Sequence, residues 1–270
     1  MTTEAWIWPL LLGVLGLVFG SFIATLAIRW PDGRSALKGR SECDGCCKAL
    51  EARELVPVLS YLLQRGRCRA CGARIASSHL VTELIGGAIG LSAGMVAPGV
   101  EGACGAVFGW LLLALAAIDF AAFWLPNVLT GTLAAAGLAV GLFTKVPPPL
   151  TERLIGGVVG FGALWLAAML YRALRGRHGL GGGDPKMLGG IGAWLGWTGL
   201  PLVVLAACLL GLAAVLLLML RGRRLSGSSR LPFGTLLAIA AFAVWLAVTV
   251  APPVLPDDAV LVYELKDIPE

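Results

Sequence analysis

Charge is scarce in this 270-residue chain: only 14% of it is Asp, Glu, Lys or Arg, where a soluble domain carries about a quarter. That scarcity excludes an ordinary soluble globule. Histidine is nearly absent, and neither copy, His79 or His178, is assigned a role. The net charge of +5 does not point to nucleic acid, because no aromatic and basic interleaving accompanies the arginines. No basic segment precedes the first apolar run, 5–28, which is longer than a signal-peptide core and is followed by further runs. It reads as a retained membrane span. The Gly-rich stretch before Asp184 lacks a preceding strand and a following Lys-Ser/Thr, which leaves a phosphate-binding loop unsupported.

What the chain has in abundance is apolar side chains, at 58% with a mean hydropathy of +0.85. Runs of roughly 18 to 22 such residues suit a hydrocarbon core about 30 Å thick. The pattern predicts an all-α membrane protein with eight spans, near 6–28, 80–97, 103–120, 124–143, 154–172, 186–199, 201–220 and 232–252. The basic residues orient it. Ten of the 21 Lys and Arg lie between Arg29 and Arg74. Arg172, Arg175, Arg177 and Lys186 flank a second connection, and Arg221, Arg223, Arg224 and Arg230 fill a third. With eight spans all three fall on one side, which the positive-inside rule makes the cytoplasm. Lys145, Arg153, Lys266 and the acidic tail fall on the other, so both termini are expected in the periplasm. The expected divisions are a first span over 1–29, a cytoplasmic insertion over 30–79, a seven-helix membrane domain over 80–252, and a short acidic tail over 253–270.

The insertion is too small to bury much core, and its cysteines offer a staple. Cys43-Asp-Gly-Cys46 and Cys68-Arg-Ala-Cys71 are two C-x-x-C pairs with 21 residues between them. Four thiolates at this spacing suit tetrahedral structural Zn²⁺, and a reducing compartment disfavours disulfides. No thioredoxin-like pattern surrounds either pair. Cys47 is either surplus or an alternative ligand. Cys104 and Cys208, in apolar segments, read as small core residues.

Three acids adjoin or enter apolar spans: Glu83, Asp119 and Asp184. Ionisable groups at membrane depth are costly and mark function. Glu83 reads as structural, paired with an arginine of the insertion. Asp119 and Asp184 both fall at the expected cytoplasmic ends of their spans, where two carboxyls can meet. A close pair cannot both ionise easily and shares a proton. The ionised member can take a proton from water while the neutral one polarises a carbonyl, and the pair titrates as a unit. Gly181 and Gly183 allow close backbone approach. Asp184 followed by Pro185 reads as a helix N-cap, and Lys186 either holds its charge or anchors the helix at the interface. A proton-coupled transporter or a non-catalytic assembly scaffold is the alternative reading of the same acids and loop; the transporter predicts mid-span acids and internal repeats, whereas these acids lie at helix ends.

Several long motifs carry a resemblance. Gly20-Ser-Phe-Ile-Ala-Thr-Leu-Ala-Ile-Arg29-Trp-Pro31, Val56-Pro-Val-Leu-Ser-Tyr-Leu62 between the Cys pairs, Asp119 with Leu125-Pro-Asn-Val-Leu-Thr130, Gly181-Gly-Gly-Asp184-Pro-Lys186 and Leu231-Pro-Phe-Gly234 together resemble the bacterial type IV prepilin peptidases, including the pseudopilin peptidases of type II secretion. The chain departs from the usual family pattern at Ala24, Ala121, Asn127 and Pro185. The resemblance implies an inner-membrane aspartyl protease with Asp119 and Asp184 as catalytic residues. Its substrates would be prepilins or pseudopilins, cut after the glycine ending a short basic leader. Members with the Cys-bearing loop commonly also methylate the new N-terminus with S-adenosylmethionine. No residue here announces where that methyl donor binds. The bilayer is the other expected partner.

Overall fold

The computed structural model describes residues 4–36, 40–43, 45–176, 179, 181–222 and 231–251, and all structural statements concern these. They form eight α-helices: α1 (Glu4–Arg29), α2 (Leu59–Leu63), α3 (Ser77–Val96), α4 (Val100–Ala122), α5 (Asn127–Phe143), α6 (Leu150–Arg175), α7 (Asp184–Leu220) and α8 (Phe233–Val250). A 3-10 turn at Ala52–Glu54 and two isolated β-bridges complete the insertion between α1 and α3. Arg177, His178, Arg223, Arg224, Arg230 and the acidic tail lie outside the described residues.

Six helices are long and apolar enough to cross a membrane, and α5, at 17 residues, is a shorter apolar helix. This tally differs from the eight expected because residues 186–199 and 201–220 fall within the single 37-residue α7. A straight helix of that length would measure about 55 Å, well beyond a core of about 30 Å. Instead α7 is broken at Gly196, whose φ of 71° and ψ of 178° belong to a region open essentially only to glycine. Gly211 lies against Leu236 in the first turn of α8. Asp184 lies within electrostatic range of Asp119, which is hydrogen-bonded to the neighbouring Thr235. Both ends of the stretch 184–211 thus sit beside the start of α8, and α7 doubles back at Gly196.

Helix α4 is the hub, packing on α1, α3, α5 and α8. Its Phe108, Leu112, Leu115 and Ile118 are fully buried, and Trp110 donates its indole N–H to the Gly86 carbonyl at 3.0 Å. The outer surface is apolar, as lipid requires: Leu10, Val14 and Val18 of α1 are each more than half exposed. Between helices in lipid the hydrophobic effect gives little, and close van der Waals packing takes over. Helix α1 accordingly sets Gly13, Gly16 and Gly20 against Gly86, Gly87 and Gly90 of α3, where a Cβ at Gly16 would strike the Gly86 carbonyl. The α6–α7 contact repeats this, with Gly156 against the Gly192 backbone and Gly160 against that of Leu188.

Arg153, expected in a water-facing loop, is instead 1% exposed in the first turn of α6. Its guanidinium donates to the carbonyls of Val146, Pro147 and Pro148 before α6, of Gly137 in α5, and of Ala193 and Trp194 in α7. The last two are carbonyls that the break at Gly196 deprives of helical partners. Glu83 also finds a different partner from the one expected. Its Oε2 accepts the Val58 N–H at 2.7 Å, so a backbone amide of the insertion takes the place of an arginine. Cys208 is exposed on α7 and Cys104 half-buried, so neither is a fully enclosed core residue.

Replacing Arg153 with Met would leave several buried carbonyls without donors, each costing about 1–3 kcal/mol. A marked fall in thermal midpoint is expected in detergent, with a smaller fall for Arg153→Lys, which keeps three donors. An unchanged midpoint for Arg153→Met would show that these bonds do not hold the fold.

Candidate active site and metal centre

Asp119 and Asp184 come from opposite directions of the chain to the same end of the bundle. Asp119, 5% exposed, sits one turn before the end of α4. Helix α8 begins after Pro232, which has no side chain able to cap it. Its free amide at Thr235 donates instead to Asp119 Oδ2 at 2.8 Å, and the Thr235 hydroxyl lies 3.2 Å from the same oxygen. That hydroxyl also bonds the Ala116 carbonyl at 3.0 Å. Thr235 therefore fixes the Asp119 carboxylate between two helices. It was missed in the sequence, although it directly follows the Leu231-Pro-Phe-Gly234 motif.

Asp184, 6% exposed, is the first residue of α7, and Gly183 occupies the cap position. The expectation of an Asp184 N-cap is corrected: its side chain makes no capping bond, and Oδ2 accepts the Gly181 N–H at 3.1 Å from the loop behind. Lys186 does not hold the Asp184 charge either. Its Nζ donates to Asn127 Oδ1 at 2.7 Å, tying the start of α7 to the start of α5.

Leu125 packs between the segments that carry the two acids. It lies against Gly183 on one side and Gly234 on the other, and Gly234 abuts Asp119 Oδ2. A Cβ at Gly183 would collide with Leu125, and one at Gly234 would press on both Leu125 and Asp119 Oδ2. The chain reaches Leu125 through Phe123, which closes α4 in the left-handed region at φ 52°, a costly conformation for a bulky side chain. The arrangement brings two carboxylates on helix ends within electrostatic range of one another.

The cysteine cluster lies in the insertion. The Sγ atoms of Cys43, Cys46, Cys68 and Cys71 are all within 4.8 Å of one another, with Cys43 and Cys71 at 3.8 Å. A tetrahedral site with Zn–S bonds of about 2.3 Å has sulfur edges of about 3.8 Å. The donor set and spacing fit structural zinc. Each pair is a turn of the same design: Cys43 N–H donates to Lys48 O and Cys47 N–H to Cys43 O, as Cys68 N–H does to Ala73 O and Gly72 N–H to Cys68 O. The residue after the second cysteine is left-handed in both, Gly72 at φ 73° and Cys47 at φ 57°. Cys47 is thus the counterpart of a glycine and stands outside the cluster. The Cys71 and Ala70 amides donate to the Cys68 sulfur and draw its thiol down to about 7. Cys46 has the Lys48 amide favouring its thiolate, but proton sharing with Cys71 and burial push it up to about 12. A divalent metal replaces such shared protons.

The chain matches the family model described as Bacterial Peptidase A24 N-terminal domain over residues 14–97, and that described as Type IV leader peptidase family over residues 106–216. It is 42% identical over 253 residues to a prepilin leader peptidase/N-methyltransferase of Burkholderia pseudomallei (strain K96243), covering 83% of this chain and 81% of that protein. The protein of the same name from Dickeya chrysanthemi is 38% identical over 262 residues, covering 86% and 90%. That from Pseudomonas putida is 36% identical over 260 residues, covering 87% and 88%. No solved structure matches.

Purified, reduced protein is expected to carry about one zinc per chain. Cys43→Ser and Cys68→Ser should abolish it by elemental analysis. Cys47→Gly should retain the metal and stabilise the insertion by about 1 kcal/mol, since glycine adopts positive φ without strain. Loss of zinc from Cys47→Gly would place this thiol among the ligands after all.

Proposed function

The chain belongs to the type IV leader peptidase family, and from that premise we propose that it is a membrane-embedded aspartyl endopeptidase. It removes the leader peptide of type IV prepilins or type II secretion pseudopilins and methylates the new N-terminus. The observation that carries the proteolytic half is the meeting of Asp119 and Asp184 across Leu125 at one end of the helices. The names of the relatives, prepilin leader peptidase/N-methyltransferase, support both halves.

In this reading the two carboxyls share one proton. The ionised member takes a proton from a water molecule, which attacks the carbonyl carbon of the glycine ending the leader. The protonated member donates a hydrogen bond to the carbonyl oxygen as negative charge develops there. On collapse the carbon–nitrogen bond breaks, the amine accepts a proton from the pair, and the leader leaves as an acid. Thr235 and the Gly181 amide hold the two carboxylates in register, and Lys186 with Asn127 fixes the mouth of the site. Gly181 and Gly183 leave room for the substrate backbone. The pair acts as a unit, so neither aspartate is given a fixed acid or base role.

The location follows from the same reading. The protein crosses the inner membrane several times, with the aspartates and the Cys-bearing insertion at the cytoplasmic face and the termini in the periplasm. Zinc held by Cys43, Cys46, Cys68 and Cys71 staples the insertion. S-adenosylmethionine supplies the methyl group when bound.

Asp119→Ala and Asp184→Ala should each lower leader cleavage by more than about a thousandfold while the protein remains folded. Thr235→Val keeps the backbone donor and loses the hydroxyl. Its kcat should fall about tenfold with KM unchanged, the loss of one hydrogen bond to a charged group. Mass spectrometry of a prepilin incubated with each variant reports the cut. Cleavage by Asp184→Ala at the wild-type rate would sink the assignment.

A further inference from the structure

One polar cavity lies apart from the aspartate pair. Its walls are the last turns of α1, the Cys-bearing insertion and the first turns of α3. Its volume is about 170 Å³. Two acids in its wall, Glu54 and Glu83, are almost wholly buried at 8% and 7% exposure. Backbone amides hold each in place: the Glu51 N–H donates to Glu54 Oε2 at 2.9 Å, and the Val58 N–H to Glu83 Oε2 at 2.7 Å. The Glu51 amide also keeps the Glu54 carboxyl below its usual range, so it is charged at neutral pH. Ser60 and Tyr61 add hydroxyls, and Arg29 and Arg74 add positive charge.

We propose that this cavity between α1, the insertion and α3 is where the methyl donor S-adenosylmethionine binds. The proposal rests on the methyltransferase half of the function given above. The matched regions divide the chain into an N-terminal module and a second one that contains both aspartates. The cavity belongs wholly to the first, so the second activity has a separate place to reside. Its chemistry fits the ligand's unusual charge pattern. A sulfonium and an α-ammonium call for fixed carboxylates, which Glu54 and Glu83 supply. An α-carboxylate calls for a cation, which Arg29 or Arg74 supplies, and ribose hydroxyls call for polar partners. Nucleotides bearing phosphates are disfavoured, because the buried acids would repel them.

The location also serves the reaction. Helix α4 follows α3 after a short turn and runs back, so Asp119 near its end shares a side of the bundle with the start of α3. The amine freed by cleavage therefore emerges at the end of the bundle that holds the cavity. That amine attacks the methyl carbon as the carbon–sulfur bond breaks, the sulfur keeps the electron pair, and the nitrogen gives one proton to solvent. Cys43 and Cys68 form part of the cavity wall. The metal cluster thereby shapes the donor site without touching the chemistry.

The test uses the full-length, zinc-loaded protein in detergent. Binding of radiolabelled S-adenosylmethionine is measured by equilibrium dialysis, beside leader cleavage and zinc content. Thr25→Phe fills the cavity from the α1 wall, and Glu54→Gln removes one fixed charge. Each should weaken binding by about tenfold or more, with cleavage and zinc as in the wild type. Wild-type affinity in both zinc-loaded variants would overturn the site while leaving the methyltransferase reading intact. A wild-type protein that cleaves but binds no donor would instead remove that reading, and the site with it. Photolabelling of the unaltered chain with an azido analogue covers the case in which a variant misfolds. Adducts on 21–29, 41–64 or 68–83 support the site, and adducts confined to other segments overturn it.

Discussion

Arg153 donates to six backbone carbonyls from three neighbouring segments, and much of the membrane half of the fold depends on that convergence. In lipid, peptide groups that leave a helical ladder have no water to turn to. A helix can reverse within the bundle only if something else satisfies the carbonyls it abandons. Gly196 supplies the reversal and Arg153 supplies the donors. Without that pairing α7 would continue as one rod too long for the membrane. Its second half would then carry the chain away from α8, and the start of α8 would not be available to hold Asp119. A cation at the far end of the bundle thus bears on the position of an acid at the near end.

The interfaces between helices follow the same economy of side chains. Glycines bring α1 onto α3 and α6 onto α7 at backbone contact, so each pair packs as one unit. The first pair carries the Cys-bearing insertion and the polar cavity, and the second carries Asp184. Helix α4 lies between them and contributes Asp119. The molecule is therefore two glycine-welded pairs arranged about a central helix, with polar groups gathered where their ends meet. A metal at the cysteine cluster would serve the N-terminal module for a plain reason: a short insertion has too little apolar surface to order itself.

Much of this was legible in the sequence. Hydropathy located every apolar helix among the described residues, because lipid demands long uncharged runs, though it divided α7 into two spans. The C-x-x-C spacing identified the thiol cluster, since two such turns can hardly face anything but a shared centre. The motifs identified the family. The pattern around Asp119 and Asp184 brought both to one side through the alternation of spans alone. What escaped were facts of partnership. Arg153 looks like any loop arginine, and nothing local says that distant carbonyls will surround it. Glu83 invites an arginine partner by charge, yet an amide of the insertion reaches it first. Asp184-Pro185 has the signature of a cap, but the tight loop at Gly181 captures the carboxylate and leaves Gly183 in that place. Thr235 acts only because Pro232 leaves a helix start uncapped. Such outcomes depend on which groups arrive together, and that information is not local.

Leu125 carries no charge and offers no polar atom, yet it stands between the glycine preceding one aspartate and the glycine abutting the other. In the proposed reaction, the gap across which a peptide bond is hydrolysed would be gauged by the girth of an aliphatic side chain. Hydrocarbon is a good material for the purpose, because it keeps the same dimensions at every pH and competes for no proton. Evolution could narrow or widen the jaws of such an enzyme by trading methyl groups at this one point, leaving both acids untouched.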